Sequence, residues 1–328
     1  MARTDMTRTC LVHLASGVGN IVFATPLLQA FDNGGYTVDV CLDADYAQTA
    51  DLLRPWSVVR AVHTGGIVAA ARRERGQLVV PAVPPFYWHR FAPSYRTLAG
   101  CTVVPRPPDR LFTVDEQAYY LAFAEAVGCT VQPRPVACLP IAPLENERRV
   151  GLGTVVIAPG CKTGTMAAKR WPHFALLADR FHDVAVVGTS DDLPQYDGTP
   201  MRFASHVRSF VDLLTLRETA ELMAAAGVVV ANDSGLAHVA AASGVQTVML
   251  FGPTDHVCLG PLPPNATVVR AGLACEPCWR GAPLGVCRSR VDCLRTLDVG
   301  RVERTVRSLL GADCAGEGSD ERSAVCAR

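Results

Sequence analysis

The chain's 31 basic and 31 acidic side chains cancel over 328 residues, so charge gives neither a nucleic-acid footprint nor a strong attraction to an anionic membrane. That length is too great for one typical core and suits two domains of roughly 150 residues each, which implies a cleft. Although 49% of the residues are hydrophobic, Gly, Pro and charge interrupt the apolar runs well short of the roughly 18 to 20 residues that span a bilayer.

A soluble protein is expected, with no integral membrane segment and no nucleic-acid partner. The start, MARTDMTRTC, has no apolar h-region and no small-residue cleavage site, so a cytoplasmic location is expected. Of the thirteen cysteines, Cys10, Cys41, Cys129 and Cys138 lie in apolar runs, where reduced cysteine behaves as a small hydrophobe. Without export, a disulfide framework is not expected.

In chain order, Thr9 to Leu14 reads as a strand, Ser16 to Asn20 as a Gly-containing turn and Ile21 to Phe31 as a helix. Tyr36 to Leu42, Tyr46 to Leu53 and Val58 to Val62 continue as strand, helix and strand, the alternation of a parallel sheet with crossover helices. Between Val79 and Pro108 the prolines predict irregular surface loop. A helix over Val114 to Val127 and a Pro-rich, charged linker close a first domain, residues 1–148.

The same grammar restarts in a second domain, residues 149–311, with a strand at Thr154 to Ala158, a helix at Pro172 to Phe181 and a strand at Val184 to Val187. Thr215 and Glu218 have capping-box spacing ahead of a helix to Ala226. Strand Val228 to Ala231, helix Leu236 to Ala242 and strand Gln246 to Phe251 follow, then a helix from Asp298 to Leu310 and a flexible tail, residues 312–328.

Ligands of open α/β sheets bind beyond the carboxyl ends of the strands, which singles out the turns 16–20, 159–170, 232–238 and 252–256. Gly160, Thr163 and Thr165, with Lys169 at a helix start, offer the N–H groups, hydroxyls and cation that a diphosphate needs. A solvated surface loop would have the same composition. Asp233, Ser234 and Gly235 stand between strand and helix with His238 one turn on; they suit a ligand pocket, and equally a helix cap and a packed histidine. The first turn reads Gly17-Val18-Gly19-Asn20-Ile21-Val22, lacking the third glycine of a dinucleotide fingerprint, and neither a P-loop nor a GxSxG elbow occurs.

The run Asn232 to Ala242, continuing through Val248 to Asp255, together with Ala158-Pro159-Gly160 and Lys169-Arg170-Trp171-Pro172, resembles glycosyltransferase family 9, the ADP-heptose-dependent heptosyltransferases. In the first half Gly19-Asn20 and Thr25-Pro26-Leu27 match that family in part. The resemblance implies a GT-B fold, two Rossmann-like domains facing each other across a cleft, with the acceptor on the first domain and a nucleotide sugar on the second. It implies Lys169 on the diphosphate, with Asp233, Ser234, Gly235 and His238 lining the donor pocket and Gly160, Thr163 and Thr165 in its phosphate turn. It implies inverting transfer of a heptose to a lipopolysaccharide core or a small glycosylated natural product, with no metal cofactor, and is compatible with peripheral contact at the inner membrane face. Where the family has an Asp held to be the catalytic base, this chain has Asn20, and an amide cannot take a proton at neutral pH. The base then falls to another group such as His13, Asp43 or Asp45, or the acceptor differs, or the chain is a silent nucleotide-sugar binder or partner subunit.

Cys275 and Cys278 have metal-ligand spacing, and Cys287 and Cys293 follow, a set that suits structural zinc or reduced packing cysteines. The aromatic run Phe86 to Phe91, near Arg72, Arg73, Arg90 and Arg96, suits an acceptor platform with acidic groups or a cover for the core.

Overall fold

The computed structural model describes residues 8–73, 76–107, 115–162, 164–195, 197–279, 287 and 291–315. The chain divides into two compact units, Met1–Leu139 with Cys258–Pro261, and Pro140–Val257 with Leu262–Arg328. No helix among the described residues is long and apolar enough to cross a membrane.

The first unit holds strands β1 (Arg8–Leu14), β2 (Tyr36–Leu42), β3 (Val59–His63), β4 (Leu78–Val80) and β5 (Thr102–Val103) in the order β3-β2-β1-β4-β5. All pairings are parallel. In β1, Thr9 to Leu14 are all buried, because helices cover both faces of a parallel sheet and its central strand has no wet side. Helices α1 (Val18–Phe23), α2 (Thr25–Asn33), α3 (Ala50–Leu53), α4 (Ile67–Ala71), α5 (Trp88–Tyr95) and α6 (Glu116–Glu125) complete the unit.

The single helix predicted over Ile21 to Phe31 is two helices meeting at Ala24, where Pro26 starts the second and Thr25 Oγ1 donates to Val22 O at 2.7 Å. The predicted loop from Val79 to Pro108 also needs correction. It contains part of β4, all of α5 and β5, and Pro93 sits inside α5. Helix α5 persists because Phe91 and Tyr95 bury their rings against His13, so packing overrides the lost backbone donor.

The second unit holds β6 (Val155–Ala158), β7 (Val184–Val186), β8 (Arg208–Ser209), β9 (Val228–Asn232), β10 (Gln246–Leu250) and β11 (Ala266–Val269) in the order β11-β10-β9-β6-β7-β8. It is parallel throughout. Its helices are α7 (Phe174–Ala178), α8 (Leu216–Ala224), α9 (Gly235–Ala242), α10 (Asp292–Arg295) and α11 (Val299–Ala315). Strand order reverses between β6 and β9, which places the ligand crevice of such a sheet beyond their carboxyl ends.

The capping box at α8 is present: Glu218 N donates to Thr215 Oγ1, and Thr215 N to Glu218 Oε2 at 2.8 Å. Trp171 is fully buried beside Phe174 and donates from Nε1 to Leu297 O at 3.1 Å. Helix α11 packs on α7, β9 and β10 and buries Val302 and Val306.

Cys10, Cys41 and Cys129 are free and buried, and burial pushes their thiols up. Cys138 departs from the expected reduced set: it is half-buried and disulfide-bonded.

Candidate functional site

Strand β9 ends at the reversal of the second sheet, and its last residue, Asn232, is wholly buried. Its Nδ2 donates to Pro159 O at 2.5 Å, and its Oδ1 accepts from Trp171 N at 2.9 Å. One side chain thus ties the turn after β6 to the segment carrying Lys169. Sequence reading included Asn232 in the motif but gave it no role; a polar residue closing a buried apolar strand was the available signal.

Asp233 follows, buried, and collects three side chains. Lys169 Nζ lies 2.9 Å from its Oδ2, Thr254 Oγ1 donates to the same oxygen at 2.8 Å, and His238 Nε2 is 3.1 Å from its Oδ1. Burial alone would raise this carboxyl, yet Lys169 and His238 outweigh it and hold it well below the usual carboxylate range. An ionised carboxylate only accepts, so His238 donates to it from Nε2. Thr254 lies in the turn after β10, which the sequence singled out without giving this residue a role; its hydroxyl is buried and has Asp233 as its partner.

Ser234 precedes α9 in an extended conformation and makes no cap with its side chain. Its Oγ is buried without a hydrogen-bond partner among the described residues. The start of α9 therefore combines backbone donors, an unpaired hydroxyl, and Lys169 within reach of Asp233. This is a cation-supported helix start suited to an anion.

The turn after β6 is braced from beneath. Arg170 is buried and donates to Cys161 O at 3.0 Å and Asp191 O at 2.8 Å, and also to Pro194 O. Its charge serves loop carbonyls, unlike that of its neighbour Lys169. A Cβ on Gly160 would fall 2.1 Å from Asp192 Cγ, so glycine there permits close approach of Asp192. Thr163 lies outside the described residues. Thr165 lies in the 3-10 turn Gly164–Lys169. A pocket of about 680 Å³ opens elsewhere in the unit, lined by Arg170, Pro172, His173, Gln195 and Arg295 among others; its lining includes none of Lys169, Asp233 or His238.

In the first unit the base candidates separate. His13 is 1% exposed, enclosed by Phe91 and Tyr95, with Nδ1 2.7 Å from Tyr95 Oη. Burial lowers it to about 3, so the ring is a neutral core group closed to an acceptor. Asp43 caps the next turn by accepting from Ala44 N at 2.9 Å and pairs with Arg90 at 3.0 Å; Arg90 also reaches Asp45 at 3.4 Å. Asn20 lies in the first turn of α1, and its Nδ2 donates to Glu116 Oε1. Of the aromatic run, Phe86 is exposed while Phe91 is buried, so the segment divides between surface and core.

Structural zinc finds no support. Among the described residues, which include Cys275, Cys278, Cys287 and Cys293, no three His, Cys, Asp or Glu side chains come together to hold a metal. Cys293 is buried and pushed up to about 12, by burial first and then Glu276, while the Cys287 sulfur accepts from Val291 N at 3.1 Å.

Comparison with known proteins gives the class first. The chain superposes on ADP-heptose lipopolysaccharide heptosyltransferase II of E. coli with a TM-score of 0.67 at 21% identity, covering 94% of this chain and 99% of that one. It superposes on the E. coli heptosyltransferase WaaC with ADP at 0.62 and 16%, covering 92% and 99%. The two parallel sheets thus have a GT-B fold. Residues 142–283 match the model of glycosyltransferase family 9 (heptosyltransferase). Lipooligosaccharide heptosyltransferase 2 of Haemophilus influenzae is 34% identical over 122 residues, 34% of this chain and 35% of the relative; this aligned stretch spans about a third of that relative's length. Residues 142–283, less than half of the chain, are thus similar to the glycosyltransferase family 9 heptosyltransferases.

Proposed function

We propose that this protein is an inverting glycosyltransferase whose second unit binds a nucleoside-diphosphate sugar, ADP-heptose by likeness to its relatives. The observation that carries the reading is the buried Asp233 cluster beside the α9 start. A diphosphate needs fixed donors and a cation because its oxygens only accept; Lys169, the backbone N–H groups of α9 and the Ser234 hydroxyl supply them. The same groups take the charge that develops on the departing diphosphate, so they serve the transition state more than the bound sugar. Asp233 holds the Lys169 ammonium and the His238 ring in place.

The acceptor belongs to the first unit in this reading, and its class is a hydroxyl of a lipopolysaccharide core or of a small glycosylated natural product on the cytoplasmic side. Calorimetry and thermal unfolding with ADP, UDP, GDP and ADP-heptose test the donor assignment. A ligand at a hundred times its Kd raises stability by about 2.7 kcal/mol. Selective stabilisation by ADP and ADP-heptose, lost in Lys169→Ala, supports the reading. Absence of binding by every nucleotide overturns it.

A further inference from the structure

The turn after β10 carries Thr254, whose hydroxyl donates to Asp233, and one later segment takes three consecutive carbonyls of that turn. Arg270 Nη2 donates to Gly252 O at 3.2 Å and to Thr254 O at 3.0 Å. Between them, Trp279 N donates to Pro253 O at 2.7 Å. Strand register brings the arginine there. Leu250 of β10 pairs with Val269 of β11, and Phe251 N donates to Val269 O at 3.0 Å, so Arg270, the first residue past β11, stands abreast of the turn.

The guanidinium is itself held. Its Nε lies 3.5 Å from Glu276 Oε2, with 19% and 3% of the two side chains exposed. Its Nη1 lies 3.5 Å from His256 Nδ1, which accepts because arginine only donates. Glu276 stands between Cys275 and Cys278, so the cysteine segment supplies the counter-charge. Behind the turn, a Cβ on Gly252 would fall 2.9 Å from Cys293 Sγ and 2.8 Å from Leu294 Cγ, so the backbone rests directly on that thiol and its neighbour.

A buried ion pair contributes little net stability compared with apolar side chains of the same volume. What a planar guanidinium set against two carbonyls fixes is geometry. Arg170 makes the same kind of contact with the turns after β6 and β7. Since β9 lies between β6 and β10, Asp233 emerges between two loops that arginines brace. Thr254 and Lys169 share its Oδ2, so a shift of the turn is felt at the ammonium.

We propose that Arg270 is a positioning residue of the donor pocket: it fixes the turn 252–254 so that Thr254 meets Asp233, and Glu276 with the Trp279 N–H completes the clasp. The inference rests on the donor-site reading given above, and it gives the cysteine-bearing segment a part in shaping that site.

The test is a double-mutant cycle on the full chain, read by calorimetric titration of ADP and by urea unfolding. Thr254→Val should weaken ADP binding about tenfold, and Arg270→Met by a similar factor. The double variant, T254V with R270M, should bind no more weakly than R270M to within about twofold, because the arginine acts through the threonine. A merely structural role would lower unfolding stability and leave the two affinity losses to multiply. Arg270→Lys keeps a cation against Glu276 but gives up the fork; it replaces R270M in the cycle should that variant fail to fold. Wild-type ADP affinity in T254V or in a folded Arg270 variant, or losses that multiply, overturns the proposal and leaves the donor site standing. A wild type that binds no nucleotide removes the donor-site reading itself, and the proposal with it.

Discussion

Lys169 Nζ and Asp233 Oδ2 are 2.9 Å apart, with only 14% and 6% of their side chains exposed. Breaking such a pair by removing one partner strands a buried charge, at a cost of about 3–5 kcal/mol. Lys169→Met should therefore lower unfolding stability in urea and weaken ADP binding together. Lost affinity with unchanged stability would mean that Thr254 and His238 suffice to hold Asp233.

His13 gives the fold an acid sensitivity in a defined window. Its ordinary value is 6.5 and burial lowers it to about 3, so between those values the unfolded chain binds one proton more than the native one. Stability then rises with pH, by about 1.4 kcal/mol per unit, and falls as pH drops from 6.5 toward 3. Equilibrium unfolding at pH 4, 5, 6 and 7 should show that slope, reduced in His13→Gln; an identical slope in the variant would place the titration elsewhere. Asp233 acts in a lower window. Its native value is depressed below 3.8, so its contribution is complete above that pH and declines as acid protonates the unfolded chain first.

Asn232→Ala should expose the cost of two hydrogen bonds at once. It leaves Pro159 O and Trp171 N without their partner, and each buried group left unpaired costs about 1–3 kcal/mol. Differential scanning calorimetry should register a fall in Tm, and ADP affinity should drop because the turn after β6 is no longer held to β9. An unchanged Tm would show that the turn finds other partners.

At Gly160 the constraint is steric. Gly160→Ala drives a methyl into Asp192 and should destabilise by about 1–3 kcal/mol. Asp192→Gly alone removes the carboxylate that caps Thr189, so the informative quantity is the double variant. Its loss of stability should be smaller than the sum of the single losses, since the clash disappears with the whole side chain of residue 192. Strict additivity would show that Asp192 swings aside.

Much of the sheet architecture was legible because buried parallel strands are short apolar runs; Tyr36–Leu42 and Gln246–Leu250 stand out against polar turns. The Thr215 box was legible because its spacing is itself the mechanism. Helix α5 was not, since proline content speaks of local backbone while Phe91 and Tyr95 answer to a distant His13. The Asp233 cluster could be read as a motif, yet Thr254 lies 21 residues away, and only the pairing of β9 with β10 brings the two turns together. The same holds for the hydrogen bond of Asn20 to Glu116, 96 residues apart, which requires the fold to be seen.

The four residues Cys258–Pro261 belong to the first unit although the second surrounds them in sequence. Gln117 holds them, its N–H reaching Leu259 O and its Nε2 reaching Pro261 O at 2.9 Å. Gly260 adopts a φ of +116°, and a Cβ there would strike Gln117. Neither half of this protein is consequently a contiguous cassette. A chimaera that exchanges the first 139 residues for those of a relative must carry residues 258–261 with them, or the grafted helix will meet a strap cut for another partner.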